Sequence, residues 1–233
     1  MFTREHGLVD GIAKGAHREK SSFQGPFDLA VLYEIVFIER HAAGLVIVTE
    51  GTVLEGFRGL RRRLDRHVAA SHIIEFLRVV ATARDPEPLL FDLVAQTLEQ
   101  LARAARGALG SHLIRFDVEA LRLLGLLAPL HLCVRCGIDW TRGGQPGFLS
   151  SRSGGILCGR CRQGDSSPGG SPVPADAGQI LQSLSVGRQD IALRDIQARW
   201  RDLGRTLSRL VEELRTHLLE RELVLLKTCR KWF

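Results

Sequence analysis

Two Cys-x-x-Cys pairs constrain this chain more than any other feature. Cys133-Val134-Arg135-Cys136 is followed by 21 residues and then by Cys158-Gly159-Arg160-Cys161. Such a knuckle turns sharply enough to aim two thiolates at one point. Two knuckles at this separation close a tetrahedron around Zn²⁺, with Zn–S bonds near ~2.3 Å. Gly137 follows the first knuckle and Gly159 lies inside the second, where tight turns favour a residue without a Cβ. Arg135, Arg160 and Arg162 stand close by and would offset the double negative charge of a four-thiolate zinc centre. Other cysteine chemistries fit less well. A redox Cys-x-x-Cys usually stands alone beside a βαβ unit. A catalytic zinc keeps an open position, which a fourth thiolate removes. A zinc deaminase has a proline directly before its Cys-x-x-Cys, and here Leu132 and Leu157 take that place. Cys133, Cys136, Cys158 and Cys161 are therefore read as ligands of a structural zinc. Cys229 is read as a small buried or tail residue and not as a ligand.

Around this element the hydrophobic pattern divides the chain. Leu8–Ala16, Phe27–Glu39 and Gly44–Phe57 are runs rich in β-branched and aromatic residues bounded by Gly, Pro and Asp, so strands are expected there. Three strands in under sixty residues imply a small barrel or sandwich. Beyond them the period becomes helical. Leu60, Leu64, Val68, Ser71, Ile74 and Leu77 share one face of a first helix. Asp85-Pro86-Glu87-Pro88 breaks it. Leu90, Leu93, Val94, Thr97, Leu98 and Leu101 form the inward stripe of a second helix over Leu89–Arg106. Ser111 offers a cap for a third helix, with Leu113, Phe116, Ala120, Leu123, Leu124 and Leu127 inward. Gly164–Pro174 reads as a flexible loop, and Ala177–Arg230 as helical, with Leu203, Leu207, Leu210, Leu214 and Leu218 as its stripe. The expected architecture is α+β. Residues 1–57 form a small β-barrel domain, and residues 58–233 form a helical domain with the zinc element inserted at about 130–163.

Charge narrows the partners. The chain carries +6 with a pI near 9.5, which favours polyanions. Lys14, His17, Arg18 and Lys20 cluster between two strands, where a basic loop can follow a phosphate backbone or simply be solvated. Arg61, Arg62 and Arg63 point in different directions around a helix and read as a solvated face. The arginines of the last helix are interleaved with Asp202, Glu212 and Glu213, the mixed pattern of a soluble surface. There is no Walker A sequence, no Gly-x-Gly-x-x-Gly, no Gly-x-Ser-x-Gly and no His-x-x-x-His, so no catalytic group is indicated and the protein is read as a non-enzyme. No apolar run approaches the ~20 residues of a membrane span. Met1–Gly7 lacks the apolar core of a signal peptide, and a reducing cytoplasmic compartment is expected.

The order of these parts resembles the RecO family of bacterial recombination mediators. Phe2-Thr3-Arg4-Glu5-His6-Gly7, Ala13-Lys14-Gly15-Ala16 and Lys20-Ser21-Ser22-Phe23 are similar to its N-terminal OB-fold. Phe116-Asp117-Val118-Glu119-Ala120-Leu121-Arg122-Leu123-Leu124-Gly125 followed by the first knuckle, and Ser153-Gly154-Gly155-Ile156-Leu157-Cys158, resemble its approach to and return from a zinc element. The resemblance is weakest in Gly164–Arg199. It implies an OB-fold, binding of single- and double-stranded DNA, and annealing of complementary strands. It further implies help in loading RecA onto strands coated by single-strand-binding protein, with RecR as partner, in DNA repair and recombination at the nucleoid. By the same resemblance Lys14, Arg18 and Lys20, and less directly Arg4, are the nucleic-acid-binding residues. Members of the family carry a further strand and turn ahead of the Phe-Thr-Arg-Glu-His-Gly run. Either the start codon is assigned too late or the OB-fold lacks its first strand, and the late start is the expectation. The competing reading is a zinc-containing nucleic-acid-binding regulatory factor, which would share the charge and the metal but prefer particular bases.

Overall fold

The structure is a computed structural model. It describes all residues except 17–22, 24–26, 40–43, 144, 151–152, 165–170, 187–188, 221–222 and 224–233. The chain divides into two compact units, Met1–Ala104 and Ala105–Val224. The first two helices thus belong with the N-terminal strands.

In the first unit, β1 (Phe2–Thr3) and β2 (Gly7–Leu8) form a short hairpin. β3 (Gly11–Ala13), β4 (Leu32–Glu39) and β5 (Val46–Glu55) form a sheet in the order β3-β5-β4, with β3 parallel and β4 antiparallel to β5. Alternation along the strands selects one buried face. Val46 and Val48 are buried, and Ile35, Phe37, Phe27 and Ala13 pack on the same small core. The other face leaves Ile12, Val36, Ile38 and Leu54 exposed. The expected small barrel is not closed among the described residues. Closure requires the two edge strands to pair, but β3 is only three residues long and β3 and β4 each pair with β5 alone.

α1 (Leu64–Val80) and α2 (Pro88–Arg103) complete the unit. The stripe expected on α2 is the one observed: Leu90, Leu93, Val94, Thr97, Leu98 and Leu101 are all buried. Pro88 stands in its first turn, where a missing amide costs nothing. On α1 the period is right but the face is rotated. Val68, Ala69, His72, Ile73 and Phe76 are buried, whereas Leu64 is 62% exposed. Leu60 is buried from a separate 3-10 turn, Arg58–Leu60, so it does not set the phase of α1. Arg66 fixes the junction by donating to the carbonyls of Gly59, Ala102 and Ala104. Two of these lie at the carbonyl-rich end of α2, where a cation is stabilised.

The second unit is built around α3 (Leu109–Leu123), which is buried on most of its circumference. Ser111 does not cap it. A 3-10 turn, Arg106–Ala108, runs straight into the helix, and the Ser111 hydroxyl donates back to the Ala108 carbonyl from inside it. α5 (Ala175–Ser185), α6 (Gln189–Ala198) and α7 (Trp200–Leu218) pack around α3. Leu207, Leu210 and Leu214 of the expected last stripe are buried. The α3–α7 contact is close because both helices offer glycine to one indole. A Cβ at Gly110 would lie 2.3 Å from Trp200, and one at Gly204 2.8 Å from it. An ion pair between Asp117 and Arg215, 2% exposed each, crosses the same interface.

Candidate metal centre

The cysteines sit on a small sheet that the sequence pattern did not show. β6 (Gly147–Ser150) pairs antiparallel with β7 (Gly155–Leu157) on one side and β8 (Ser171–Val173) on the other. β8 falls in the segment read as a flexible loop. Pro172 is tolerated because β8 is an edge strand, where a missing amide breaks no further ladder. The first knuckle docks onto this sheet through the Val134 amide, which donates to the Ile156 carbonyl at 2.9 Å. Its turn is closed by the Gly137 amide on the Cys133 carbonyl at 2.8 Å, with Gly137 at φ +72°. That left-handed conformation is the one glycine adopts freely. The second knuckle straddles the end of β7 and the start of the short helix α4 (Gly159–Gln163), where the Arg162 amide donates to the Cys158 carbonyl. Trp140 anchors the element from beneath: its indole donates to the Leu130 carbonyl and lies against Gly147 and Gly178.

This scaffold gathers all four thiols. The Sγ atoms of Cys133, Cys136, Cys158 and Cys161 lie within 4.8 Å of one another, and Cys136 and Cys158 approach to 3.8 Å. Tetrahedral coordination with bonds of ~2.3 Å places sulfurs roughly 3.8 Å apart. The four residues therefore fit a bound metal ion. Burial is uneven: Cys133 and Cys158 belong to the hydrophobic core of the unit, while Cys136 is exposed. The thiols also perturb one another. Burial pushes Cys133 up, but the backbone amides of Cys158, Cys136 and Arg135 and the Cys136 thiol outweigh it and bring Cys133 down to about 6. Burial, together with the hydrogen bonds it shares with Cys136, Cys158 and Cys133, pushes Cys161 up to about 12. Four sulfurs this close cannot all ionise alone, and a cation would replace their protons. Arg135 braces the pair of knuckles by donating to the Cys161 carbonyl at 3.0 Å.

The predicted nucleic-acid residues are not gathered in this way. Lys14 is exposed just after β3. Arg18 and Lys20 lie outside the described residues, as does Cys229. Arg4 is engaged by Asp92 of α2 through two hydrogen bonds, at 2.9 and 3.1 Å. No helix among the described residues is long and apolar enough to cross a membrane.

Comparison with known proteins covers nearly the whole chain. The family described as "Recombination protein O N terminal" matches residues 1–57, and "Recombination protein O C terminal" matches residues 61–226. Among similar proteins are those named DNA repair protein RecO from Rhodopirellula baltica and from Rubrobacter xylanophilus. The first is 32% identical over 71% of this chain and 61% of its own length. The second is 31% identical over 80% of this chain and 72% of its own length. A third, from Anaeromyxobacter dehalogenans, is 32% identical over 70% of this chain and 63% of its own length. The chain thus spans less than two thirds of the length of the first and third of these relatives. With two adjoining family matches and relatives above 30% identity, this chain belongs to the RecO family of DNA repair proteins.

Proposed function

We propose that this chain is a non-catalytic recombination mediator. It binds single- and double-stranded DNA, anneals complementary strands, and helps load RecA onto strands coated by single-strand-binding protein, together with RecR, in the cytoplasm at the nucleoid. Membership of the RecO family carries this reading. In it the N-terminal strands correspond to the family's OB-fold, and Lys14, Arg18 and Lys20 follow the phosphate backbone. Arg4 is the weakest of the set, since Asp92 already engages it.

The ion is read as Zn²⁺, because four thiolates and no oxygen ligand suit a soft, four-coordinate metal. When bound, it supplies a cross-link. The chain's own residues do the remaining work. β6 and β7 hold the knuckles in register, and Gly137 makes the first turn. Backbone amides supply the partial positive charge that favours thiolate at Cys133.

The test is annealing of two complementary single strands by the purified protein under a salt titration. Protein-dependent annealing that fades as salt rises is expected, because phosphate contacts release counterions. Folded, zinc-loaded protein that fails to anneal would refute the mediator reading, and binding that depends on base sequence would point to a regulatory factor.

A further inference from the structure

Charge is distributed unevenly in this chain. Strands β3, β4 and β5 carry Glu34, Glu39, Glu50 and Glu55, all exposed, and no lysine or arginine. Residues 130–163 carry Arg135, Arg142, Arg152, Arg160 and Arg162 against the single acid Asp139. That is a net +4 out of the chain's +6. A Zn²⁺ held by four thiolates has a charge of −2, so about two of these arginines suffice to offset it. The element retains a positive excess.

The positions of the arginines are specific. Each knuckle has arginine as its third residue, Arg135 in the first and Arg160 in the second. Because the four sulfurs lie within 4.8 Å of one another, both arginines stand one residue before a cysteine of the same cluster. Arg135 is exposed and spends one nitrogen on the Cys161 carbonyl. Arg160 is exposed and makes no ion pair among the described residues. Arg142, in the turn that follows the first knuckle, forms an ion pair with Asp139 at 2.9 Å but keeps its side chain 85% exposed, against 48% for Arg4 in its pair with Asp92. Arg152 lies outside the described residues. In the same element Val134 is 37% and Ile138 56% exposed. A metal core of this kind usually buries its apolar neighbours. Here exposed apolar side chains and exposed arginines occur in one element, the combination that meets a strand through its phosphates and its sugar or base faces.

We infer that the metal-binding element is itself a nucleic-acid-binding surface, in which Arg142 and Arg160 contact the phosphate backbone. The inference deepens the mediator reading and rests on it, adding a second contact region to the basic loop at Lys14, Arg18 and Lys20.

The experiment measures binding of a fluorescent single-stranded oligonucleotide to the full, zinc-loaded chain across a salt series. The proteins are wild type, the double variant Arg142→Gln/Arg160→Gln, and the charge-preserving variant Arg142→Lys/Arg160→Lys. Each lost phosphate contact lowers the slope of log affinity against log salt by roughly 0.7, so the glutamine variant should lose about 1.4. The lysine variant should keep the wild-type slope. Zinc content and melting temperature should not change in either, since both side chains are exposed. An unchanged slope in the glutamine variant, with wild type binding normally, overturns this inference and leaves the mediator reading standing. Wild type that binds no oligonucleotide at all overturns both.

Discussion

Within the second unit, His112 shows how a single buried residue ties stability to solution conditions. It is 8% exposed on α3, its Nδ1 has no hydrogen-bond partner among the described residues, and Arg115 lies near. Burial, reinforced by Arg115, lowers it from 6.5 to about 4. The folded chain therefore holds His112 neutral over a range in which the unfolded chain protonates it. Stability from this residue is complete above about 6.5 and declines as pH falls towards 4. The loss is on the order of 3 kcal/mol. Urea titrations of wild type and His112→Gln from about pH 7 to pH 4.5 should give a flatter stability profile for the variant. Parallel profiles would show that His112 does not sense pH. Nothing in the sequence marked this histidine, because its neighbour Arg115 and its burial come from the all-round packing of α3.

At the scale of elements, the contact of α3 with α7 hangs on Trp200 lying against Gly110 and Gly204. Gly110→Ala places a methyl group where the indole is, and overpacking of this kind costs about 1–3 kcal/mol. The cost should shrink when Trp200 is changed to Leu in the same chain, because the two residues share one space. Additive losses in a double-mutant cycle would mean that the glycine serves some other purpose. The same scale shows which elements could be read in advance. The buried stripe of α2 was visible because a proline sets its start and one face alone is buried, but the helix ends at Arg103 and not at Arg106, which belongs to the following 3-10 turn. α1 was visible as a helix but with the wrong face, since Leu60 belongs to a preceding turn and small residues such as Ala69 and Ala70 carry no strong hydrophobic signal. Ser111 was misread as a cap because the 3-10 turn at Arg106–Ala108 has no distinctive sequence. The four thiols were legible in full, as metal ligands obey spacing. Their supporting sheet was not, because β6, β7 and β8 are three or four residues long, too short for alternation to declare itself.

Across the whole molecule, the division into two compact units predicts that metal and fold are coupled locally. If the four thiols hold the proposed ion, stripping it with a thiol-specific reagent and a chelator should loosen Ala105–Val224, since a structural site contributes folding energy. Amide hydrogen exchange should then quicken in β6, β7 and α4 and stay unchanged in α1 and α2. Equal acceleration in both units would contradict the division. The four cysteines also divide the work between them. Cys133 and Cys158 are part of the hydrophobic core, so their side chains fill space in addition to the ligand role proposed for them. Cys136 stands at the surface and Cys161 is only partly covered. A descendant of this chain that dispensed with the ion would therefore face two different selective pressures inside one motif. The inner pair could drift to valine or leucine and keep the core filled. The outer pair, once freed of its ligand duty, would be free to drift to polar residues. The quartet should thus be inherited or abandoned together, yet leave behind unlike replacements.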